Sequence, residues 1–567
     1  MRLPGTSKEL VEFALRTIEI CRSDQGNRAA AYRQYGQWLE TGRLNGGLAL
    51  ANTLYHHVDN LASHLYSPTD LNWAISFRWR YSKEILKKAE IVARLIGEEW
   101  ELKDIDQLIG DAVFEALTYG ASVVKLVTDK GDDEDGGDQD LDGYLVSPWN
   151  FGVYNPSEND LERQDAVCET TYLTRSQVWW RIRNLPDAEK LYKRIMAQGD
   201  KNSGVGVPSN FMHQVLSTAV LNPSLTESSA PTPGGIVNIS NDPNFTNLGP
   251  QMGTDLFPMH ELWVKDDAKG GDYTTIQMVE PDILICPAPG LARKNIFCPR
   301  TLPYGLIQPN VVRGYVWGRS ELVDLMELQK MLSTHLDDIK RIFGQQFDKL
   351  LAFMGGDGID DELYSQFRSQ GFVNLGPGGD VKDLTPAMPA NSLEFVEMIL
   401  SLMERVSGFS NIMSGRGDSG VRAGNHADML MRTGSPRLRD RSLRVERQVA
   451  KLGDKTLSVM RAKDGKVYWP DADLGEEQDF TLHDIPDDAR VTVDGHSSSP
   501  IFHDDHQQLV AFGVKSGFID GESAIRSLPY PNKDLLIELY REAQKAKAKL
   551  IEEHPEILTH QKPGGKK

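Results

Sequence analysis

Cysteine is scarce, long apolar runs are missing and basic charge is in deficit, and each shortage removes a class of protein. Cys21, Cys168, Cys286 and Cys298 are the only cysteines in 567 residues, and no two form a C-x-x-C pair. A disulfide framework or a zinc site therefore has no support, and reduced, buried thiols are expected. No stretch of ~18 apolar residues occurs, and the opening Met-Arg-Leu-Pro-Gly lacks a signal-peptide core, so a cytoplasm-like compartment is expected. Acidic side chains number 81 against 62 basic ones, a net charge of −19. Proteins that wrap nucleic acid by neutralising phosphates are basic, so tight DNA binding over a large surface is not expected. An acidic wall along which DNA slides stays compatible with this charge.

Catalytic motifs are also missing. The chain has no Gly-x-Ser-x-Gly elbow, no Gly-Lys-Ser/Thr phosphate loop and no His-Glu-x-x-His helix. Gly204-Val-Gly206 is too short for a dinucleotide loop. His503 and His506 can share a helix face, but no further ligands accompany them, and His56 and His57 point in different directions. No catalytic residue, metal ligand or cofactor is therefore assigned.

What is present reads as several domains in an α+β, mainly helical chain. Leu10, Phe13, Ala14 and Thr17 recur at near-helical spacing within 9–20. Residues 83–100 and 105–117 repeat the pattern, the latter through Ile105, Leu108, Ile109, Ala112, Val113 and Ala116. Ala121-Ser-Val-Val-Lys-Leu-Val127 is short and β-branched, which predicts a strand. The acidic block 129–142 follows as a solvated hairpin tip, then strand and turn over 145–154 and a helix from Thr174 to Arg183. Residues 199–255 are rich in Gly, Ser, Pro, Asn and Thr, a surface excursion expected to be weakly ordered unless a neighbour holds it. Glu261–Lys265 and Tyr273–Val279, joined through glycine, predict a hairpin.

Ser320 can cap a helix striped by Leu322, Leu325, Met326, Leu332, Leu336, Ile339 and Phe343. A small Gly-rich module over 346–390 follows, with strand-like 349–353 and 371–375 and a short helical piece at 360–368. A second striped helix runs from Ser392 to Val406, then a glycine loop, then a long helix to about Lys463. Gly434 and Pro436 predict a kink early in it, because proline removes a donor and clashes with the preceding turn. Leu438, Val445, Val449, Leu452 and Val459 carry its stripe. Short strands at 467–469 and 489–493 and further helices complete the chain.

Several phrases stand in a telling order: Ala116-Leu-Thr-Tyr-Gly-Ala-Ser-Val-Val-Lys125, Val146-Ser-Pro-Trp-Asn-Phe151, Gly314-Tyr-Val-Trp-Gly-Arg-Ser320, Asn411-Ile-Met-Ser-Gly-Arg-Gly-Asp-Ser-Gly420 and Arg432-Thr-Gly-Ser-Pro436. In this order the chain resembles the portal proteins of tailed bacteriophages, most of all those of short-tailed phages, over about residues 10–550 but not across 199–255. The resemblance implies a wing over 1–318, a first stem helix at 319–345 and a clip at 346–390. It further implies a second stem helix at 391–410, a tunnel loop at 411–424 and a kinked wing helix at 425–463. Wing return strands at 464–510 and a crown with its tail at 511–567 complete the implied parts. The implied object is a dodecameric ring in the virion, assembled in the host cytoplasm. It would conduct double-stranded DNA and meet a terminase packaging motor, tail adaptor proteins and the capsid protein. A DNA-processing enzyme or another head-tail connector component is the alternative.

The candidate residues follow from those parts. Arg416, Asp418, Arg422 and Asn425 belong to the suspected tunnel loop, where the arginines could touch phosphate or pair with nearby acids. Gly415, Gly417, Gly420 and Gly424 give that loop mobile backbone. Asp357, Asp360, Asp361 and Glu362 offer an acidic clip surface to a partner, with plain solvent exposure the competing reading. Arg437, Arg439, Arg441, Arg444 and Arg447 form a basic run on the third helix, in which Arg437, Arg441 and Arg444 share one face. A solvated face or subunit salt bridges is the reading preferred for them over DNA contact.

Overall fold

The computed structural model describes residues 1–4, 6–43, 48–66, 71, 73–130, 139–183, 187–199, 257–279, 283–286, 301–347, 351–354, 365, 380–383, 387–408, 436–462, 466–471, 476–493, 510–521, 524–525, 537 and 539–545. The α+β, mainly helical character expected from the sequence holds.

The first helix, α1 (Ser7–Thr41), is far longer than the expected 9–20. Its start buries Leu10, Ala14, Ile18 and Cys21 against a sheet, and its end buries Trp38 and Leu39 in a helical core. Between them Tyr32 is buried and packs edge-on against Tyr119. Arg28 adds a polar anchor, donating to the carbonyls of Pro148 (3.2 Å) and Phe151 (3.1 Å) while lying 3.6 Å from the Trp317 ring centroid. Gly42 ends the helix at φ 67°, the left-handed conformation that suits glycine.

The helical core is built by α2 (Thr53–Leu65), α3 (Lys83–Leu102), α4 (Ile105–Tyr119) and the long late helix Pro436–Ala462. All five stripe residues of that late helix are buried, as expected. A link between distant parts of the chain went unread in the sequence: β1 (Trp73–Ser76) pairs antiparallel with Arg490–Val493.

Next to this core lies a three-stranded antiparallel sheet, β2 (Ser122–Lys130) flanked by β3 (Gln139–Val146) and Tyr304–Ile307. The β2–β3 hairpin registers Lys130 opposite Gln139, so the acidic block does sit at a hairpin end, while 131–138 lie outside the described residues. The next layer is a five-stranded antiparallel sheet of β4 (Phe151–Val153), β5 (Ala166–Leu173), β6 (Phe257–Asp266), β7 (Asp272–Val279) and β8 (Ile283–Cys286). The predicted hairpin is β6–β7. Two short helices, α5 (Arg175–Ile182) and α6 (Ala188–Gly199), follow β5, and Thr174 caps the first. In chain order Tyr304–Ile307 is β9, and β10 (Leu351–Met354) pairs with β11 (Asp380–Asp383). After them come β12 (Lys466–Asp471), paired with β13 (Glu476–Thr481), and β14 (Arg490–Val493). The helices Met326–Phe347, Ser392–Ser407 and Pro436–Ala462 are α7, α8 and α9.

Strand alternation explains how β2 serves two cores. Val124 and Leu126 face the helices, whereas Val123 and Lys125 face the five-stranded sheet. At this second position a cation replaces an apolar side chain. The Lys125 amine sits 2.6 Å from Glu169 and 2.8 Å from Glu261, with all three side chains buried. Tyr304 donates to Glu169 at 2.8 Å and Trp263 to Glu261 at 2.9 Å, so the spare carboxylate lone pairs are filled. Burial would raise the Glu261 carboxyl, but the charge and hydrogen bond of Lys125 hold it down at about 2. The outer face of the five-stranded sheet carries Cys168, Leu262, Val264, Ile276 and Met278 against α1. Cys21 and Cys168 are buried there as thiols, in line with expectation.

Two outcomes test these layers. Lys125→Met is expected to lose about 3–5 kcal/mol in urea unfolding, since two carboxylates stay buried without a cation. Adding Glu169→Gln and Glu261→Gln is expected to recover most of that loss. Helix α4 gives the second. Burial, opposed by a hydrogen bond from Ser122 and helped by Asp111, raises the Glu115 carboxyl to about 7; burial and Glu101 raise Asp106 likewise. Acids with raised folded values stabilise below their ordinary range, and that contribution is lost as pH rises through about 7. The melting temperature is expected to fall across that interval, and Glu115→Gln to flatten the fall.

Candidate functional site

Ser320 begins the region of interest. Its hydroxyl accepts from the Leu322 amide at 3.1 Å and donates to the Thr118 carbonyl at 2.5 Å. The helix expected from here starts as a 3-10 turn, Glu321–Asp324, and only then becomes α7. Glu321 is buried there together with Leu322 and Leu325. Just upstream, Gly318 and Gly120 are so close that a Cβ on either would collide with the other's backbone, and Gly120 has φ 99°. Two of the sequence phrases, 116–125 and 314–320, thus pack on each other.

Helices α7 and α8 run antiparallel. At one end the His335 imidazole meets the Ser392 carbonyl at 3.1 Å; at the other, Thr53 joins Gln329 (2.6 Å) and Met403 (3.6 Å). Ile399 and Met403 of α8 are buried in this seam, with Leu332 of α7. Beyond His335, α7 continues for about three more turns. Along that overhang the stripe loses cover: Leu332 is 1% exposed and Phe343 is 45% exposed. On α8 a second apolar flank, next to the seam, is formed by Met398, Leu402 and Val406, 38–48% exposed, while Phe395 packs edge-on against His335 of α7. The spacing of four residues between Met398, Leu402 and Val406 makes one stripe.

Where α8 ends and α9 begins, an open cleft of about 410 Å³ gathers Asn310, Arg319, Glu321, Arg437, Arg441 and Arg444. Pro436 is the first residue of α9, a position where its missing N–H is harmless. Arg437, Arg441 and Arg444 line one side, as their spacing implied. Arg441 departs from expectation, being neither solvated nor free for another subunit. It is 4% exposed and bonded to the equally buried Glu321 at 2.8 Å within the same chain. The correction has a physical cause: Glu321 is buried, and a buried carboxylate needs a cation. Burial would raise Glu321; the His57 contact, the Arg441 charge and the Asn310 amide together hold it down at about 2.

Most sequence-derived candidates lie outside the described residues: Arg416, Asp418, Arg422 and Asn425 of the loop, Asp357, Asp360, Asp361 and Glu362 of the acidic surface, and Gly434. His503 and His506 do too. Among the described residues no cluster of three or more His, Cys, Asp or Glu could hold a metal, and no helix is long and apolar enough to cross a membrane. Sequence reasoning missed Glu321, Lys125, Glu169 and Glu261. The available signal was a charge inside an apolar run, as in Val123-Val-Lys-Leu-Val127.

No protein-family model matches this chain, and no curated protein matches it.

Arg441→Met is expected to destabilise the protein by about 3–5 kcal/mol by stranding Glu321. A depressed carboxylate stabilises above its ordinary range and loses that contribution as pH falls toward its folded value, about 2 for Glu321. The acid limb of the wild-type stability curve is therefore expected to shrink in Arg441→Met, read by urea unfolding at a series of pH values.

Proposed function

We propose that this chain is a portal-type subunit: one member of a closed ring, with twelve the expected number, through which double-stranded DNA enters and leaves a phage head. The observation that carries the reading is the second apolar flank of α8. Met398, Leu402 and Val406 form an exposed stripe beside the α7 seam, and the overhang of α7 presents Phe343 in the same uncovered state. In a closed ring each subunit offers two different flanks to two neighbours, so a hairpin of helices needs apolar surface beyond its own seam. Exposed apolar patches of this kind mark association sites.

Other features agree with that use. The two helices project from a body whose layers are tied by buried ion pairs, which suits a rigid ring. The net charge of −19 favours a wall along which phosphates slide. The wing, stem, clip, tunnel-loop and crown roles belong to the same proposal. So do the dealings with terminase, tail adaptors and capsid protein, and the protein's place in the virion.

The test is sedimentation of full-length protein. Wild type is expected to form one large discrete assembly. Met398→Lys with Leu402→Asp is expected to reduce it to single chains with an unchanged circular dichroism spectrum, because neither side chain is in the intramolecular core. An assembly that survives both substitutions, or a wild type that stays monomeric, contradicts the reading.

A further inference from the structure

The cleft at the head of α9 is lined by four arginines, Arg319, Arg437, Arg441 and Arg444, and three carboxylates, Glu321, Asp324 and Asp440, which leaves one positive charge in excess. Arg437, Arg441 and Arg444 succeed one another at spacings of four and three, where like charges repel. Burial first, and then the charges of Arg437 and Arg444, push the Arg441 guanidinium below its ordinary value against the pull of Glu321. The 27-residue α9 also opens without an acid in its first turn, so the positive end of its dipole adds to the same charge. Arg441 is committed to Glu321. Arg444 pairs with Asp440 at 2.7 Å and Arg319 pairs with Asp324, but both pairs are solvent-exposed and therefore weak. Arg437 reaches the Val406 carbonyl at 3.4 Å, and among the described residues no carboxylate stands against it.

We propose that this cleft is an anion site that takes a phosphate group, held by Arg319, Arg437 and Arg444 above the Arg441–Glu321 pair. Guanidinium forks match phosphate oxygens two at a time, and a tetrahedral, multiply charged anion can meet three forks from different sides as a flat carboxylate cannot. The cleft is open and roomy enough for an ester as well as the free ion. Both a nucleic-acid backbone and free phosphate present this chemistry. The inference stands on the cleft alone and does not require the ring.

The experiment is thermal unfolding of the full-length protein in inorganic phosphate against chloride at matched ionic strength. Phosphate stabilises proteins generally by exclusion, without saturating, so the saturating part of the rise is what reports a site. Wild type is expected to show it, and Arg437→Gln with Arg444→Gln to lose it. Arg319→Gln, at an exposed position, serves as a second variant should the pair not fold. A wild type with no saturating component, or variants that keep it, overturns the proposal. Binding to a short DNA duplex at rising salt identifies the source. A salt slope smaller by about 2 in the double variant assigns a DNA phosphate. An unchanged slope, with the phosphate saturation lost, assigns free phosphate.

Discussion

Lys125 lies between two β-sheets, with Glu169 and Glu261 as its immediate partners and the Tyr304 hydroxyl and Trp263 indole completing the cluster. Such a group tolerates no sliding. A shift of β2 by one residue would turn Lys125 into the helical core and put Val124 or Leu126 against two carboxylates. The register of the three-stranded sheet over the five-stranded one is thereby fixed by charge, and the hydrophobic layers on either side inherit it. Removing water from three charges is expensive, and geometry of this quality, with every lone pair occupied, is what offsets it.

Helix α9 carries the same logic to the rest of the molecule. Near its start Arg441 meets Glu321, at the turn that launches α7; two-thirds along, Lys455 meets Glu162 and the Leu302 carbonyl. Between them Val445, Val449 and Leu452 fill the core, and Thr456 accepts from the Trp100 indole at 2.9 Å. One helix thus ties the early helices, the three-stranded sheet, the β4–β5 connection and the base of the α7–α8 pair. The apolar flank of α8 and the arginine cleft are held on a scaffold braced at both ends.

Periodicity made much of this legible. The stripes of α3, α4, α7, α8 and α9, the β6–β7 hairpin and the cap at Ser320 were readable because caps and a 3.6 or 2.0 repeat are local properties. What escaped is non-local. The length of α1 depends on Arg28 reaching Pro148, Phe151 and Trp317, and the pairing of β1 with β14 joins residues more than four hundred positions apart. The Arg441 partner was hidden for the same reason: helix spacing identified the arginine face, but the matching carboxylate of Glu321 lies 120 positions away. The loop and acidic-surface candidates, from Asp357 to Glu362 and from Arg416 to Asn425, rest on the family resemblance and on composition.

The central claim is a ring that passes DNA through its centre. Negative-stain imaging of the purified full-length protein, combined with its mass in solution, tests it most directly. The account predicts closed rings of uniform diameter with a central hole and a mass of about twelve subunits. Stable single chains, or compact particles without a hole, would contradict it.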